Sequence, residues 1–253
     1  MTASAMGGLP QFLGLGTQKG GTTTLQLLLE QHPQVWLSPR KELQFFSLHY
    51  GLGEVWYRQQ FAAAAEDQWC GDITPYYLFH PQAPARIANL LPAVKMMVLL
   101  RDPVDRCLSQ YFHSCRLGLE SLPLEQALAA EQQRLAGAEA VLCAPDGRHR
   151  SHQEHSYLAR SRYEQQLRRY EHWFSPDQLL LLRSEDLFQE PQRSWDRVLD
   201  YLELDRLPLP PARTAANAGA GEAAAVDPAL RGWLREQLDP TYQAMEQGYG
   251  IRW

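Results

Sequence analysis

The chain has few cysteines, and their spacing fits no common metal or redox motif. Four are present, Cys70, Cys107, Cys115 and Cys143, and none of them forms a C-x-x-C pair with another. The spacing therefore suggests neither a cysteine-based zinc site nor a redox dithiol. We expect buried or free thiols.

Long hydrophobic runs are also missing. Nowhere do about 18 uncharged apolar residues follow one another, as a membrane-spanning helix needs. The first residues, MTASAMGGLPQ, have neither a basic flank nor the apolar stretch of a signal peptide. We therefore expect no membrane contact and a cytoplasmic location.

An excess of positive charge is absent as well. The formal net charge is −5, which disfavours a general nucleic-acid-binding protein and means that any anion site must be local. The length of 253 residues fits one α/β domain. We predict this domain over residues 11–253, preceded by a flexible N-terminus at residues 1–10. The sequence does not indicate the oligomeric state.

The most informative stretch present is QFLGLGTQKGGTTTLQLLL, from Gln11 to Leu29. A short apolar run leads into a turn rich in glycine and threonine, and a leucine-rich segment at helical spacing follows. Such a strand, loop and helix presents backbone N–H groups at the positive end of a helix, and a lysine in the loop adds a full charge. We call residues 16–23 the cradle and predict that it binds phosphate. The alternative is a glycine-rich turn that only joins a strand to a helix.

The position of Lys19 distinguishes this loop from the common nucleotide-triphosphate motif. That motif, G-x-x-x-x-G-K-[ST], places the lysine directly after the last glycine and a magnesium-binding hydroxyl beside it. Here Lys19 lies two residues before Gly21, in the middle of the loop. We expect it to lean over the terminal group of a bound 5′-phosphate derivative.

A second candidate segment, SPRKELQFF, follows a short predicted strand at Val35–Leu37. Its charged residues come at the C-terminal end of that strand, the side on which open α/β sheets bind ligands. We take Glu42 as a candidate general base. A solvated cluster of charges in a loop is the alternative.

A third segment, RDPVDRCLSQY, begins at Arg101, directly after the most apolar run of the chain, Val94–Leu100. That run fits a central parallel strand. Pro103 favours a helix start, so Arg101 should lie at the strand tip and Ser109 further along the helix. A guanidinium and a hydroxyl so placed can hold one phosphate. A local ion pair is the alternative for Arg101.

Taken together, GTQKGGTTTL, KELQFF, GDITPYYL and LLRDPVDRCLSQY resemble the sulfotransferase family, in order and in separation. The resemblance is nearest to the branch of the heparan sulfate N- and O-sulfotransferases and their bacterial relatives. It covers Gln11 to about Leu204. It implies a single α/β domain with a central parallel sheet flanked by helices, the P-loop-like sulfotransferase fold.

The resemblance also implies roles for individual residues. Five residues match the loop that holds the 5′-phosphosulfate of the donor, 3′-phosphoadenosine-5′-phosphosulfate (PAPS). They are Lys19, Gly20, Gly21, Thr22 and Thr23. Arg101 and Ser109 match the pair that grips the 3′-phosphate, and Glu42 matches the general base. Lys19 and Glu42 are thus the predicted catalytic residues. One departure is Ile73, where the branch often has a lysine before Thr-Pro.

The expected reaction is in-line transfer of a sulfuryl group from PAPS to an acceptor hydroxyl or amine, leaving 3′-phosphoadenosine-5′-phosphate (PAP), with no metal. His49 and His113 are alternative bases. The acceptor stays open between a carbohydrate and a small metabolite. Two other classes are kept: a P-loop kinase of small molecules, which would need a magnesium-binding carboxylate, and an inactive nucleotide-binding protein.

The second half of the chain supports only structural predictions. We expect His113–Glu120 to leave the preceding helix and helices to run over Leu124–Ala140, Tyr157–Phe174 and Asp227–Gln247, the second with its arginines on one face. The three histidines between Pro145 and His155 suggest a mobile surface loop rather than a metal cluster. In the Ala/Gly/Pro-rich segment 207–226, Arg213 and Asn217 are the candidate polar residues of a closing loop, with a flexible linker as the alternative.

Overall fold

The computed structural model describes residues 8–211 and 220–253. Within these ranges five parallel strands form one sheet, in the order β2-β3-β1-β4-β5. The strands are β1 Phe12–Gly16, β2 Val35–Leu37, β3 Trp69–Ile73, β4 Lys95–Leu100 and β5 Leu179–Arg183. The predicted α/β fold with a central parallel sheet is confirmed. The strand order reverses at β1, so the cradle lies where such sheets bind ligands.

Helices connect the strands and complete the chain. Their bounds are α1 Thr22–Leu29, α2 Gly53–Gln59, α3 Ala83–Leu90, α4 Pro103–Arg116, α5 Leu124–Leu135, α6 Ala138–Leu142, α7 Arg150–Glu154, α8 Tyr163–Glu171, α9 Ser184–Gln189, α10 Pro191–Leu202, α11 Ala220–Ala224, α12 Pro228–Gln237 and α13 Asp239–Tyr249. None of these helices is long and apolar enough to cross a membrane.

Strand β4 shows why an unbroken apolar run is needed in the sheet. Successive side chains of a strand point to opposite faces. Met96 and Val98 pack in the cluster on one face, with residues of α8, whereas Met97 and Leu99 pack on the other, with residues of α1 and α10. All four side chains are fully buried. The strand therefore has helices on both faces, as predicted.

A third cluster lies beside the sheet, where α4 packs against helices from later in the chain. Most of its buried members come from α4, α5, α12 and α13, among them Cys107, Leu108, Leu128, Leu234 and Tyr242. This packing places α13 next to the start of α4. Residues more than a hundred positions apart thus meet at the turn that carries Arg101.

Several helix predictions for the second half were wrong in their bounds. Helix α4 continues to Arg116 and ends only before Gly118, whose φ of 68° is left-handed. Gly137, with φ of 76°, separates α5 from α6. The predicted Asp227–Gln247 helix starts as expected, with Asp227 capping Ala229, but it divides into α12 and α13 next to Pro240.

The predictions for the histidine segment and for the helix after it were also wrong, because polar side chains in both segments are buried. The segment of three histidines contains helix α7, and His152 and His155 are buried rather than on a surface loop. The predicted helix Tyr157–Phe174 begins only at Tyr163; before it lies a short 3₁₀ turn at Ala159–Ser161. Arg160 in that turn is buried instead of sharing an exposed face.

Candidate active site

The cradle folds back over the end of strand β4. The backbone N–H of Thr17 donates to the carbonyl of Leu99 at 2.7 Å, and its Oγ1 donates to the same oxygen at 2.9 Å. The N–H of Gly20 closes a turn onto the Thr17 carbonyl at 3.0 Å. The loop therefore has a defined position at the C-terminal edge of the sheet.

Two glycines of the cradle are required by its geometry. A Cβ on Gly20 would lie 2.6 Å from the Leu99 carbonyl oxygen, too close for any side chain. Gly21 has a φ of 97° and precedes α1 without a side-chain cap. The first N–H groups of α1 are consequently not capped by a side chain, which leaves this helix end suited to an anion.

Positive charge is concentrated around the cradle. Burial lowers the pKa of Lys19, and the nearby cations Arg116 and Arg101 lower it further. The guanidinium of Arg101 also approaches the Lys19 carbonyl, with Nη1 to O at 3.5 Å. Lys19 itself is held in the left-handed region, at φ of 70°. These cations repel one another, although Arg116 is also paired with Glu222, and an anion among them would relieve the repulsion.

Arg101 and Ser109 occupy the positions that the sequence predicted. Arg101 follows β4 directly, and Ser109 lies in α4, two turns beyond Pro103. The alternative ion pair also exists but is loose, with Arg101 Nη2 at 4.0 Å from Asp105 Oδ2. Ser109 is 7% exposed, and its hydroxyl makes no hydrogen bond with another residue in the described ranges. Both groups are thus available to a ligand.

The turn that carries Arg101 is fixed by residues that sequence analysis did not select. The Asp102 N–H donates to Glu185 Oε1 at 2.9 Å, and Trp253 Nε1 donates to Glu185 Oε2 at 3.0 Å. The hydroxyl of Tyr242 donates to Asp102 Oδ2 at 2.8 Å. Glu185 therefore joins the turn of Arg101 to the C-terminal Trp253.

Glu42 lies in a constrained turn after β2. Glu42 and Gln44 both have left-handed backbones, with φ of 53° and 56°, which costs non-glycine residues free energy. Gln44 Nε2 donates to Glu42 Oε2 at 3.3 Å, and Ser47 Oγ donates to Gln44 Oε1 at 2.6 Å. Burial raises the pKa of Glu42, and the cation of Lys41 opposes this effect. A carboxylate with a raised pKa suits a general base near neutral pH.

Asp72 on β3 buttresses this turn. Its carboxylate accepts hydrogen bonds from the hydroxyls of Tyr57, Tyr77 and Thr74, at 3.0, 2.6 and 2.8 Å. Tyr77 Oη in turn accepts the N–H of Phe45 at 2.8 Å. Burial raises the pKa of Asp72 to about 6. A lone aspartate inside an apolar strand was the only sequence signal for this role.

Direct contact joins the Glu42 turn to the cradle, since Lys41 Nζ donates to Thr23 Oγ1 at 2.8 Å. The two alternative bases lie on different sides of this contact. The pKa of His113 is lowered by burial and by Lys19, so His113 is beside the cradle. The pKa of His49 is lowered by burial and by Arg40. Both imidazoles are therefore biased toward the neutral form.

A family model described as "Sulfotransferase domain" matches residues 9–209, most of the chain. This chain belongs to the sulfotransferase family. Among curated relatives, human heparan sulfate glucosamine 3-O-sulfotransferase 3B1 is 31% identical over 202 residues, 79% of this chain. The membrane-associated sulfotransferase kil1 of Dictyostelium discoideum is 38% identical over 109 residues, 42% of this chain. The chain spans 47% of the human protein and 23% of the Dictyostelium protein.

Solved structures show that the fold is shared. A sulfotransferase from Alicyclobacillus acidocaldarius superposes with a TM-score of 0.80 at 24% identity, covering 97% of this chain and 98% of the other. The mouse sulfotransferase SULT7A1, solved in complex with PAP, gives a TM-score of 0.58 at 14% identity, covering 98% and 92%. At these identities the likeness concerns the fold, and it confirms the predicted P-loop-like sulfotransferase fold.

Three further sequence predictions bear on the site of this sulfotransferase-family chain. Ile73 is buried beneath Gly14 of β1, so this position supplies no charge to the site. The closing-loop candidates Arg213 and Asn217 lie outside the described residues. In the described ranges, no group of three or more His, Cys, Asp or Glu side chains has the arrangement of a metal site.

Proposed function

We propose that this chain is a sulfotransferase that moves a sulfuryl group from PAPS to a hydroxyl or amine of an acceptor and leaves PAP. The supporting observation is the uncapped start of α1, surrounded by Lys19, Arg101 and Arg116. Arg101 at the tip of β4 and Ser109 on α4 supply two further polar groups beyond the cradle. In this proposal they would hold the 3′-phosphate of PAPS, a group that ATP lacks.

In this mechanism the protein contributes position and fixed charge. Lys19 and the N–H groups of the cradle, among them those of Gly21 to Thr23, would stabilise the charge that develops on the leaving phosphate. Glu42 would take the proton from the acceptor as the oxygen or nitrogen attacks sulfur. Lys41 contacts Thr23 of the cradle, and the next residue in the sequence is Glu42. The proposed base is therefore close to the loop that would hold the donor.

For the acceptor we propose a carbohydrate or a small metabolite. The human relatives are named for glucosamine units of heparan sulfate, and this supports the carbohydrate alternative. We propose no metal in the reaction, since the transferring group is held by cations of the chain itself. The cytoplasmic location and the flexible N-terminus at residues 1–10 stay predictions.

Calorimetric titration with PAP, and with ATP in the presence and absence of magnesium, tests the donor. We expect magnesium-independent binding of PAP, weak binding of ATP, and a loss of about 1.5–3 kcal/mol of PAP binding free energy in Arg101→Ala, or about 10- to 150-fold in Kd. Arg206→Ala, which removes an exposed arginine paired with Asp200, is the control and should bind PAP normally.

Each rival function gives a different result. Tighter binding of magnesium ATP than of PAP, or an unchanged Kd in Arg101→Ala, would support a small-molecule kinase instead. PAP binding without sulfuryl transfer to any of a panel of sugar and metabolite acceptors would support an inactive nucleotide-binding protein.

A further inference from the structure

Arg160 is a buried cation outside the set of residues assigned to the site above. It lies in the 3₁₀ turn Ala159–Ser161 and is 2% exposed, whereas Arg168 and Arg169 of α8 reach the surface. Burial lowers its pKa to about 10, so the guanidinium remains charged at neutral pH. Burying a charge in this way is costly unless it is compensated.

Hydrogen bonds of Arg160 connect the cradle to helix α7. Nη1 donates to the side-chain oxygen Oε1 of Gln18, which is a cradle residue. Nη2 donates to the carbonyls of His152 and Gln153, both at 2.9 Å. One side chain thus spans the donor loop and the segment of three histidines.

The charge of Arg160 is only partly compensated. Its guanidinium lies over the rings of Tyr76 and Phe79, 5.1 and 4.9 Å from their centroids. Neutral carbonyls, an amide and ring faces surround it, and no carboxylate of the described residues forms an ion pair with it. Its Nε is buried and has no acceptor in the same ranges. The carboxylates of Glu131 and Glu42 act on its charge only through space.

The backbone around Arg160 is held by a dense network. Glu131 accepts the N–H groups of Leu158 and Ala159, both at 2.8 Å. The fully buried Arg106 donates through Nε to Ser161 Oγ at 2.6 Å. Two buried charged side chains thus fix the turn on either side of Arg160, so its guanidinium has little freedom to move.

We propose that Arg160 is a positioning residue of the donor site, which holds the cradle through Gln18 in the geometry that binds the donor. The identity of the donor in this proposal rests on the proposed function. The hydrogen bond acts on the side chain of the residue directly before Lys19. Segment 149–155 then serves as the fixed support from which Arg160 acts.

The test combines Gln18→Ala, Arg160→Lys and the double variant, with Gln31→Ala as control. Gln31 is an exposed glutamine at the far end of α1, so its loss should leave the cradle unchanged. Lysine keeps the charge of residue 160 but loses the guanidinium fork. We expect each single variant to weaken PAP binding by about 3- to 10-fold. Both substitutions remove the same contact. The double variant should therefore bind PAP no more weakly than the single variant with the lower affinity.

Hydrogen exchange of residues 16–23 in the unliganded protein provides a readout that does not depend on the donor. Exchange should be faster in Gln18→Ala and Arg160→Lys than in the wild type or Gln31→Ala, at unchanged melting temperature for Gln18→Ala. Unchanged exchange and PAP affinity in Gln18→Ala would overturn the proposal, as would additive losses in the double variant. If the wild type binds no PAP while the exchange pattern holds, the donor assignment fails and the positioning role stands.

Discussion

The proposed donor side and the proposed acceptor side of the site are built in different ways. On the donor side, the cradle and Arg101 each follow a strand directly and precede a helix, so backbone N–H groups and strand-tip side chains form the site. On the acceptor side, Glu42 lies in a turn with two left-handed residues, supported by the side chains of Tyr77 and Thr74 from another segment. Local sequence order places the donor groups, and distant residues such as Glu185 and Arg160 then hold them. The turn of Glu42 depends on long-range side-chain contacts for its shape.

This difference explains how the two sides can vary independently. Anion binding by a helix start and two cations needs only a few residue types at fixed spacing. Placing one carboxylate against an acceptor needs a shaped turn and a buried partner such as Asp72. Changes on the acceptor side should therefore alter turnover while the affinity for the donor stays the same.

The largest expected effect comes from Glu42→Gln. This change keeps the size and the hydrogen-bonding capacity of the side chain but removes the base. We expect kcat to fall by about 10²- to 10⁴-fold, because the acceptor proton then has no acceptor at that position. The Kd for PAP, measured by calorimetry, should stay within twofold of the wild type, an estimate consistent with a purely acceptor-side role.

Glu54→Gln is the matched control, since Glu54 is an exposed glutamate that pairs with Arg58 on α2. It should keep full activity. A parallel loss of PAP affinity in Glu42→Gln would break the division into two sides, because the carboxylate would then also support the donor.

An intermediate effect is expected on the donor side from Trp253→Phe. Phenylalanine keeps the packing against Tyr242 and Tyr163 but leaves Glu185 Oε2 without its donor. The turn of Arg101 should loosen, and the Kd for PAP should rise by about five- to tenfold. Trp233→Phe is the control, since Trp233 is 40% exposed.

The pH profile of kcat/KM in Trp253→Phe also separates the donor side from the acceptor side. The acid limb of kcat/KM should stay where it is, since Trp253 is not among the groups that shift the pKa of Glu42. A change in that limb, or equal losses in Trp253→Phe and Trp233→Phe, would contradict the assignment of Trp253 to the donor side.

The smallest effect is expected from Lys41→Met, the residue that touches both sides. Burial raises the pKa of Glu42, so activity should already fall at a higher pH than for an ordinary glutamate base. Removing the Lys41 cation raises that pKa further, which moves the acid limb of kcat/KM upward. Rates should drop less than about fivefold at the acid end, because exposed charge pairs are weak, and not at all on the plateau.

A downward movement of that limb in Lys41→Met, or a fall of the plateau itself, would count against Glu42 as the base. The measurement is kcat/KM over the pH range at constant ionic strength, since exposed charges are screened by salt. Arg58→Met is the control, because Arg58 pairs with Glu54 and not with Glu42.

The sheet was predictable from sequence because apolar runs bounded by turns mark buried parallel strands. β2 has the predicted bounds, and β4 begins one residue later than predicted. The helices after Arg116 were less predictable. The helical periodicity predicted a helix that includes Tyr157–Arg162. A 3₁₀ turn forms there instead, because Glu131 accepts backbone N–H groups of this segment and Arg106 donates to Ser161.

The candidate site shows the same division. Lys19, Arg101 and Ser109 could be selected because each has a fixed offset from a strand end or a helix start. Asp72 and Arg160 could not, because their importance arises from partners 15 or more residues away, such as Tyr57 and Gln18. Sequence patterns report spacing along the chain, whereas these contacts depend on how distant segments meet.

Asp102 is bonded to Tyr242 directly and to Trp253 through Glu185. These contacts bear on when the site can form during synthesis of the chain. All five strands have been synthesised once the ribosome has passed Arg183, well before Tyr242 and Trp253. A nascent chain of that length contains every strand of the sheet and both halves of the predicted phosphate grip. It still lacks the side chains of Tyr242 and Trp253, so we expect tight binding of the proposed nucleotide only after both residues have been added.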